Sequence, residues 1–203
     1  MLDPLLRRVI EGPLKRGGGW LAAAGMTANQ VTLLGFAAGV AAMAALAFQL
    51  YWTALLLVLL NRLADGLDGA VARQRGATDL GGYLDIVLDF LFYSGVVFGF
   101  ALGHPDQALA AAFLIFSFVG TGSSFLAYAI IAAKRGITTE LRGHKSLYYI
   151  GGLTEGSETI ALLVAVCLFP EWFAWLAYGF GALCWLTTGS RILAAVDAFG
   201  EDR

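Results

Sequence analysis

Six long apolar stretches organise the chain, at 31–50, 52–72, 80–102, 108–133, 147–169 and 172–195. Each approaches or exceeds the roughly 20 residues a helix needs to cross a hydrocarbon core. The breaks between them are short and carry turn chemistry, as in Gly103-His104-Pro105-Asp106 and Phe169-Pro170-Glu171. The pattern predicts an all-α integral membrane protein with six transmembrane helices. Ahead of the first stretch, Leu5, Leu6, Val9 and Ile10 recur at helical spacing with Arg7, Arg8 and Glu11 between them. That pattern predicts an amphipathic helix over residues 2–14, lying on the cytoplasmic leaflet; the alternative is a frayed polar tail. With no internal repeat or low-complexity segment, residues 1–203 read as one domain, an amphipathic cytoplasmic segment (1–30) followed by a six-helix bundle (31–196).

Charge orients the bundle. The basic residues are Arg7, Arg8, Lys15, Arg16, Arg62, Arg73, Arg75, Lys134, Arg135, Arg142, Lys145, Arg191 and Arg203. All fall near the N-terminus, the second-to-third connection, the fourth-to-fifth connection or the C-terminus. The three opposite loops have none, and the positive-inside rule therefore places both termini in the cytoplasm. Composition agrees: 59% of the chain is hydrophobic and only 14% charged, too apolar for one water-soluble core. A net charge of −2 argues against a nucleic-acid partner, which calls for a basic face. Cys167 and Cys184 sit in apolar stretches without disulfide or metal spacing and read as small buried hydrophobes. The first residues are too polar for a cleavable signal peptide.

The chemistry concentrates between residues 61 and 90, which hold Asp65, Asp68, Asp79, Asp85 and Asp89. Ionisable groups inside a span are costly and mark function. Asp65 and Asp68, three apart, share a face of the second helix; Asp85 and Asp89, four apart, share a face of the third. At about 1.5 Å per residue, all four lie roughly 6–14 Å below the cytoplasmic edge. Four carboxylates at one depth must be protonated, paired or bound to cations. Arg62 and Arg73 can neutralise some, but two arginines do not balance four aspartates. An all-oxygen cage suits Mg²⁺ or Mn²⁺, with Ca²⁺ as an alternative occupant, rather than zinc. Two facing pairs point to a two-metal site of the phosphoryl-transfer kind. Gly66, Gly69, Ala70, Ala72, Gly81 and Gly82 leave backbone bare beside the carboxylates, open to a bulky polar ligand or to a tightly packed neighbouring helix.

The run Asp65-x2-Asp68-Gly69-x2-Ala72-Arg73-x7-Gly81-x3-Asp85-x3-Asp89 resembles the signature of the CDP-alcohol phosphotransferases, with every motif position matched. Six spans with the motif across the second and third extend the likeness over essentially the whole chain. The resemblance implies a homodimeric enzyme of the bacterial inner membrane, active on the cytoplasmic side. It would transfer a phosphatidyl group from a CDP-linked lipid such as CDP-diacylglycerol to a small polar alcohol, releasing CMP. It further implies two divalent cations held by Asp65, Asp68, Asp85 and Asp89, with Asp89 also the general base. Gly69, Ala72, Arg73 and Gly81 would shape the CDP site. Asn29 and Thr32, in the stretch before the first span, would contact the nucleotide.

The acceptor is the open question. Gly143-His144-Lys145-Ser146 is similar to a stretch of the phosphatidylglycerophosphate synthases, where a lysine suits a phosphorylated acceptor, and Arg191 adds charge. Snorkelling to lipid phosphates explains both basic residues equally well. Glu155 and Glu158, expected about 12–17 Å into the fifth span, would instead suit sugar hydroxyls or an amine. Two rival classes use the same residues: a cation or proton transporter, and a non-catalytic lipid-binding relative. The first would show inverted repeats or broken helices; the second would have lost a motif aspartate. Neither sign is present.

Overall fold

The computed structural model of the chain describes residues 3–136 and 154–200. Among these, seven α-helices follow one another: α1 (Asp3–Ala23), α2 (Ala28–Ala47), α3 (Tyr51–Arg75), α4 (Asp79–Gly103), α5 (Ala108–Lys134), α6 (Gly156–Leu168) and α7 (Phe173–Phe199). One-turn 3-10 segments, Pro105–Gln107 and Pro170–Trp172, lead into α5 and α7. Four helical segments are long and apolar enough to cross a membrane: Ala28–Ala47, Asp79–Gly103, Pro105–Lys134 and Pro170–Phe199. The other two expected spans differ in kind. Helix α3 has the length, at 25 residues, but carries Arg62, Asp65, Asp68, Arg73 and Arg75. Helix α6 is apolar but has 13 residues, about 20 Å against a core of roughly 30 Å. The expected span 147–169 is described only from residue 154 onward.

Helix α1 runs nine residues beyond the expected end at 14. Its extension comes from a stretch, Gly17-Gly18-Gly19, that reads as a helix breaker. Packing overrides that propensity. A Cβ on Gly17 would fall 2.8 Å from Leu67 Cδ2, and one on Gly18 would fall 2.5 Å from Ala70 Cβ. Bare backbone therefore lets α1 lie directly on α3, and Leu14 seats against Gly66 of the same face. That contact decides between the two readings for Gly66 and Ala70, which serve helix packing.

Helix α2 is the spine of the site. It packs along both α3 and α4, which meet each other mainly through long side chains such as Arg62 with Asp89. Gly35 faces Ala64 of α3, and Gly39 faces Phe92 of α4. The Asn61 amide donates to the Gly35 carbonyl at 2.8 Å, a polar tie inside the bundle. At the far end, Tyr51 and His104 meet at 2.6 Å and Gln49 donates to the Gly103 carbonyl at 2.8 Å. These contacts tie the start of α3 and the end of α2 to the end of α4. The core runs through Leu46, Val58, Phe92, Phe100, Leu114, Leu163 and Phe173, with Phe100 and Phe173 stacked at 3.9 Å between centroids. Helix α5 packs along α7 as a second layer.

Candidate active site

The connection from α3 to α4 is only three residues, 76–78. Gly76, at φ 99°, ends α3 in a conformation that suits glycine, and the Thr78 side chain starts α4 by accepting from Gly81 N–H at 3.0 Å. The return brings Asp68 beside Asp85 and Arg62 beside Asp89. Asp65, Asp68 and Asp85 each offer an oxygen within 4.8 Å of the others.

Beside them a cavity of about 580 Å³ opens between α2, α3 and α4. Asn29, Thr32, Asp68, Gly69, Ala72, Gly81 and Asp85 all line it. The helix start that carries Asn29 is a true capping box: Thr27 N–H donates to the Gln30 side chain at 2.9 Å, and Gln30 N–H donates to the Thr27 hydroxyl at 3.3 Å. Thr32, one turn on, has its hydroxyl 2.6 Å from Asp68 Oδ2 and 3.0 Å from the Ala28 carbonyl. Its observed partner is therefore a carboxylate of the site. Gly81 is tight, since a Cβ there would sit 3.1 Å from both Asn29 Oδ1 and Thr78 Oγ1; Gly82 opens onto free space.

The motif arginine, Arg73, is exposed at the rim, with Nη1 3.4 Å from where a Cβ on Gly69 would stand. The arginine that lines the cavity is Arg75, which sequence reading passed over. Its Nη1 donates to the carbonyls of Gly25 and Met26 at 3.1 and 3.0 Å, tying the connection between α1 and α2 to the end of α3. A cation in the last turn of a helix was the signal that could have marked it.

The fourth aspartate is held differently. Asp89 accepts from Arg62 Nη2 at 2.7 Å through Oδ1 and from the Tyr93 hydroxyl at 3.0 Å through Oδ2. Arg62 also reaches Asp65 at 3.7 Å. The guanidinium is fixed on its other side by the Asn61 oxygen at 2.7 Å and lies 4.6 Å from the centre of the Phe92 ring. A small hollow of about 10 Å³, lined by all four aspartates, Thr32, Asn61 and Arg62 among others, has room for about one water-sized occupant.

A family match gives this arrangement its chemistry: residues 25–189 match the description of the CDP-alcohol phosphatidyltransferases. The chain belongs to that family. Among its relatives is an inner membrane protein of Escherichia coli K12, YnjF, 59% identical over 169 residues, 83% of this chain and 82% of that one. The archaetidylinositol phosphate synthase of Pyrococcus horikoshii is 30% identical over 191 residues, 94% of each chain. Among solved structures, the phosphatidylinositol phosphate synthase of Mycobacterium tuberculosis, crystallised with CDP-DAG bound, superposes with a TM-score of 0.70 at 22% identity. The likeness covers 94% of this chain and 97% of that one. As a CDP-alcohol phosphatidyltransferase, the chain is a membrane transferase of phospholipid biosynthesis.

Three oxygens within 4.8 Å suit the shell of one hard cation. Opposite ligands of Mg²⁺ lie about 4 Å apart and those of Ca²⁺ about 5 Å. The donor set, carboxylate throughout, fits the same class.

The residues expected to serve the acceptor are placed less fully. Lys145 and Ser146 lie outside the described residues. Glu155 and Glu158 stand at the start of α6. There the Glu158 carboxylate accepts from Glu155 N–H at 3.2 Å and from the Ser157 hydroxyl at 3.1 Å. The spacing read as two in-span acids is that of a capping box. Arg191 is buried rather than snorkelling: Nη1 donates to the Thr121 carbonyl at 2.9 Å, and the guanidinium lies 5.4 Å from the Phe125 ring centre.

Proposed function

We propose that the chain transfers the phosphatidyl group of CDP-diacylglycerol to a small polar alcohol and releases CMP. The observation that carries this reading is the meeting of Asp65, Asp68 and Asp85 at the wall of a cavity lined by Asn29, Thr32, Gly69, Ala72 and Gly81. In that cavity the bare faces of Gly69 and Ala72 admit the CDP group, Asn29 and Thr32 orient it, and Arg73 and Arg75 offer cationic donors for its diphosphate. Asp65, Asp68 and Asp85 would hold divalent cations, joined by Asp89 in the loaded enzyme, which supply neutralisation of charge on the transferring and departing phosphates. Asp89 takes the proton of the acceptor hydroxyl as that oxygen attacks phosphorus. The acyl chains stay in lipid throughout.

The acceptor in this reading is a phosphorylated polyol. Relatives named for inositol phosphate products support it. The distribution of basic residues supports a site facing the cytoplasm in a bacterial inner membrane, with both termini on that side, and the E. coli relative's name agrees. The test is CMP release by purified protein from CDP-diacylglycerol, with Mn²⁺ or Mg²⁺ and a panel of alcohols that includes inositol phosphate. Release should depend on the acceptor, vanish after chelation and return with added cation. Full release after exhaustive chelation overturns the metal-dependent reading.

A further inference from the structure

The four aspartates are not equivalent, and the residue that divides them is Arg62. Asp85 has no hydrogen-bond partner among the described residues, Asp68 has the Thr32 hydroxyl at 2.6 Å, and Asp65 has only the long contact to Arg62 at 3.7 Å. These three converge. Asp89, one turn beyond Asp85, has each oxygen engaged, and its Oδ1 is 2.7 Å from Arg62 Nη2. Arg62 in turn is fixed by Asn61, Phe92 and Tyr93. Its side chain is only 11% exposed, so its charge is needed to balance a carboxylate at that depth. The hollow that all four aspartates line is about 10 Å³, enough for about one occupant.

We propose that Arg62 is a positioning residue that stands in for a cation at Asp89. In the lipid-free protein it holds that carboxylate away from the other three, and the site takes up one divalent ion. Binding of the CDP-lipid brings the negative charge that makes a second ion favourable, and Arg62 then releases Asp89 to the loaded site. The proposal rests on the metal-dependent reading above and adds the order of loading and the residue that enforces it.

The experiment counts Mn²⁺ bound by the full chain in detergent, by paramagnetic resonance of the free ion, with and without CDP-diacylglycerol. The parent should bind one ion alone and two with the CDP-lipid. Arg62→Gln should bind the second ion without the lipid, at least about tenfold more tightly than the parent does. Arg62→Lys keeps the charge and should restore single occupancy, a rescue that a merely structural role would not give. Two ions in the lipid-free parent, one ion in the lipid-bound parent, or an Arg62→Gln variant that loads like the parent each overturn the proposal. If Arg62→Gln does not fold, the two parent measurements decide alone. No bound ion under either condition would instead remove the metal reading on which the proposal stands.

Discussion

Two layers of this bundle bury polar groups, and they do so to opposite ends. In the layer of α5 and α7, Thr187 bonds Thr154 at 3.2 Å, Ser117 bonds the Leu114 carbonyl at 2.7 Å, and Arg191 bonds the Thr121 carbonyl at 2.9 Å. Each finds a partner in the protein and stays out of contact with lipid, as a low-dielectric interior demands. In the layer of α2, α3 and α4, Asp65, Asp68 and Asp85 offer oxygens close to one another around a hollow beside the cavity and leave most of their acceptor capacity open. Satisfied polar groups hold helices together. Concentrated, unsatisfied charge beside a cavity is held in place for a ligand. The difference between the layers is therefore a difference in where the compensating partner comes from.

The sharpest way to break that comparison is at the base. Asp89→Asn keeps the size of the side chain and an oxygen for Arg62, so the layer should remain folded. An amide cannot take the hydroxyl proton, and turnover should fall about 10²–10⁴-fold with a smaller loss of CDP-lipid affinity. Asp65→Asn should instead weaken cation binding and recover in part at high Mn²⁺. CMP release and CDP-lipid binding across a cation titration separate the two. Near-parental turnover of Asp89→Asn at high cation would leave Asp89 a ligand only.

A second pair of variants divides two faces of α3. Gly69 opens on the cavity, whereas Gly66 meets Leu14 of α1. Gly69→Leu should abolish CDP-lipid binding in a protein that still unfolds near the parental temperature. Gly66→Leu should overpack the α1 contact, at a cost of about 1–3 kcal/mol, and weaken substrate binding only as far as α1 shifts. Thermal unfolding and CDP-lipid binding, measured on both, decide it. The reverse outcome would exchange the assignments of the two faces.

How far the sequence could be read follows the same division. The aspartate faces were legible because helical spacing and depth are local properties: Asp65 with Asp68, and Asp85 with Asp89, need nothing but 3.6 residues per turn. The membrane class was legible for the same reason. Partnerships across helices were not. Nothing local says that Arg62 takes Asp89, 27 residues on, or that Gly66 belongs to α1 while Gly69 belongs to the cavity. Glu155 and Glu158 were ambiguous for a different reason. Their spacing fits both an in-span acidic face and a capping box, and only the start of α6 at Gly156 reveals the box.

The smallest expected effect tests the second layer on its own terms. Thr154→Val removes one hydroxyl that bonds Thr187 of α7 from just ahead of α6, at a site 7% exposed. Valine matches the shape, so no cavity forms and the loss is the hydrogen bond itself. Hydrogen bonds between helices in a bilayer average about 0.6 kcal/mol and reach about 1.7 kcal/mol, because the separated helices find other partners. Unfolding in mixed micelles should therefore register a loss within that range. CDP-lipid affinity should stay at the parental value, since Thr154 is not among the residues lining the cavity between α2, α3 and α4. A stability loss of that size with unchanged CDP-lipid affinity is what a structural polar contact gives. A marked fall in CDP-lipid affinity, with stability preserved, would show that the second layer also answers to the ligand, and the two layers would then have to be read as one site.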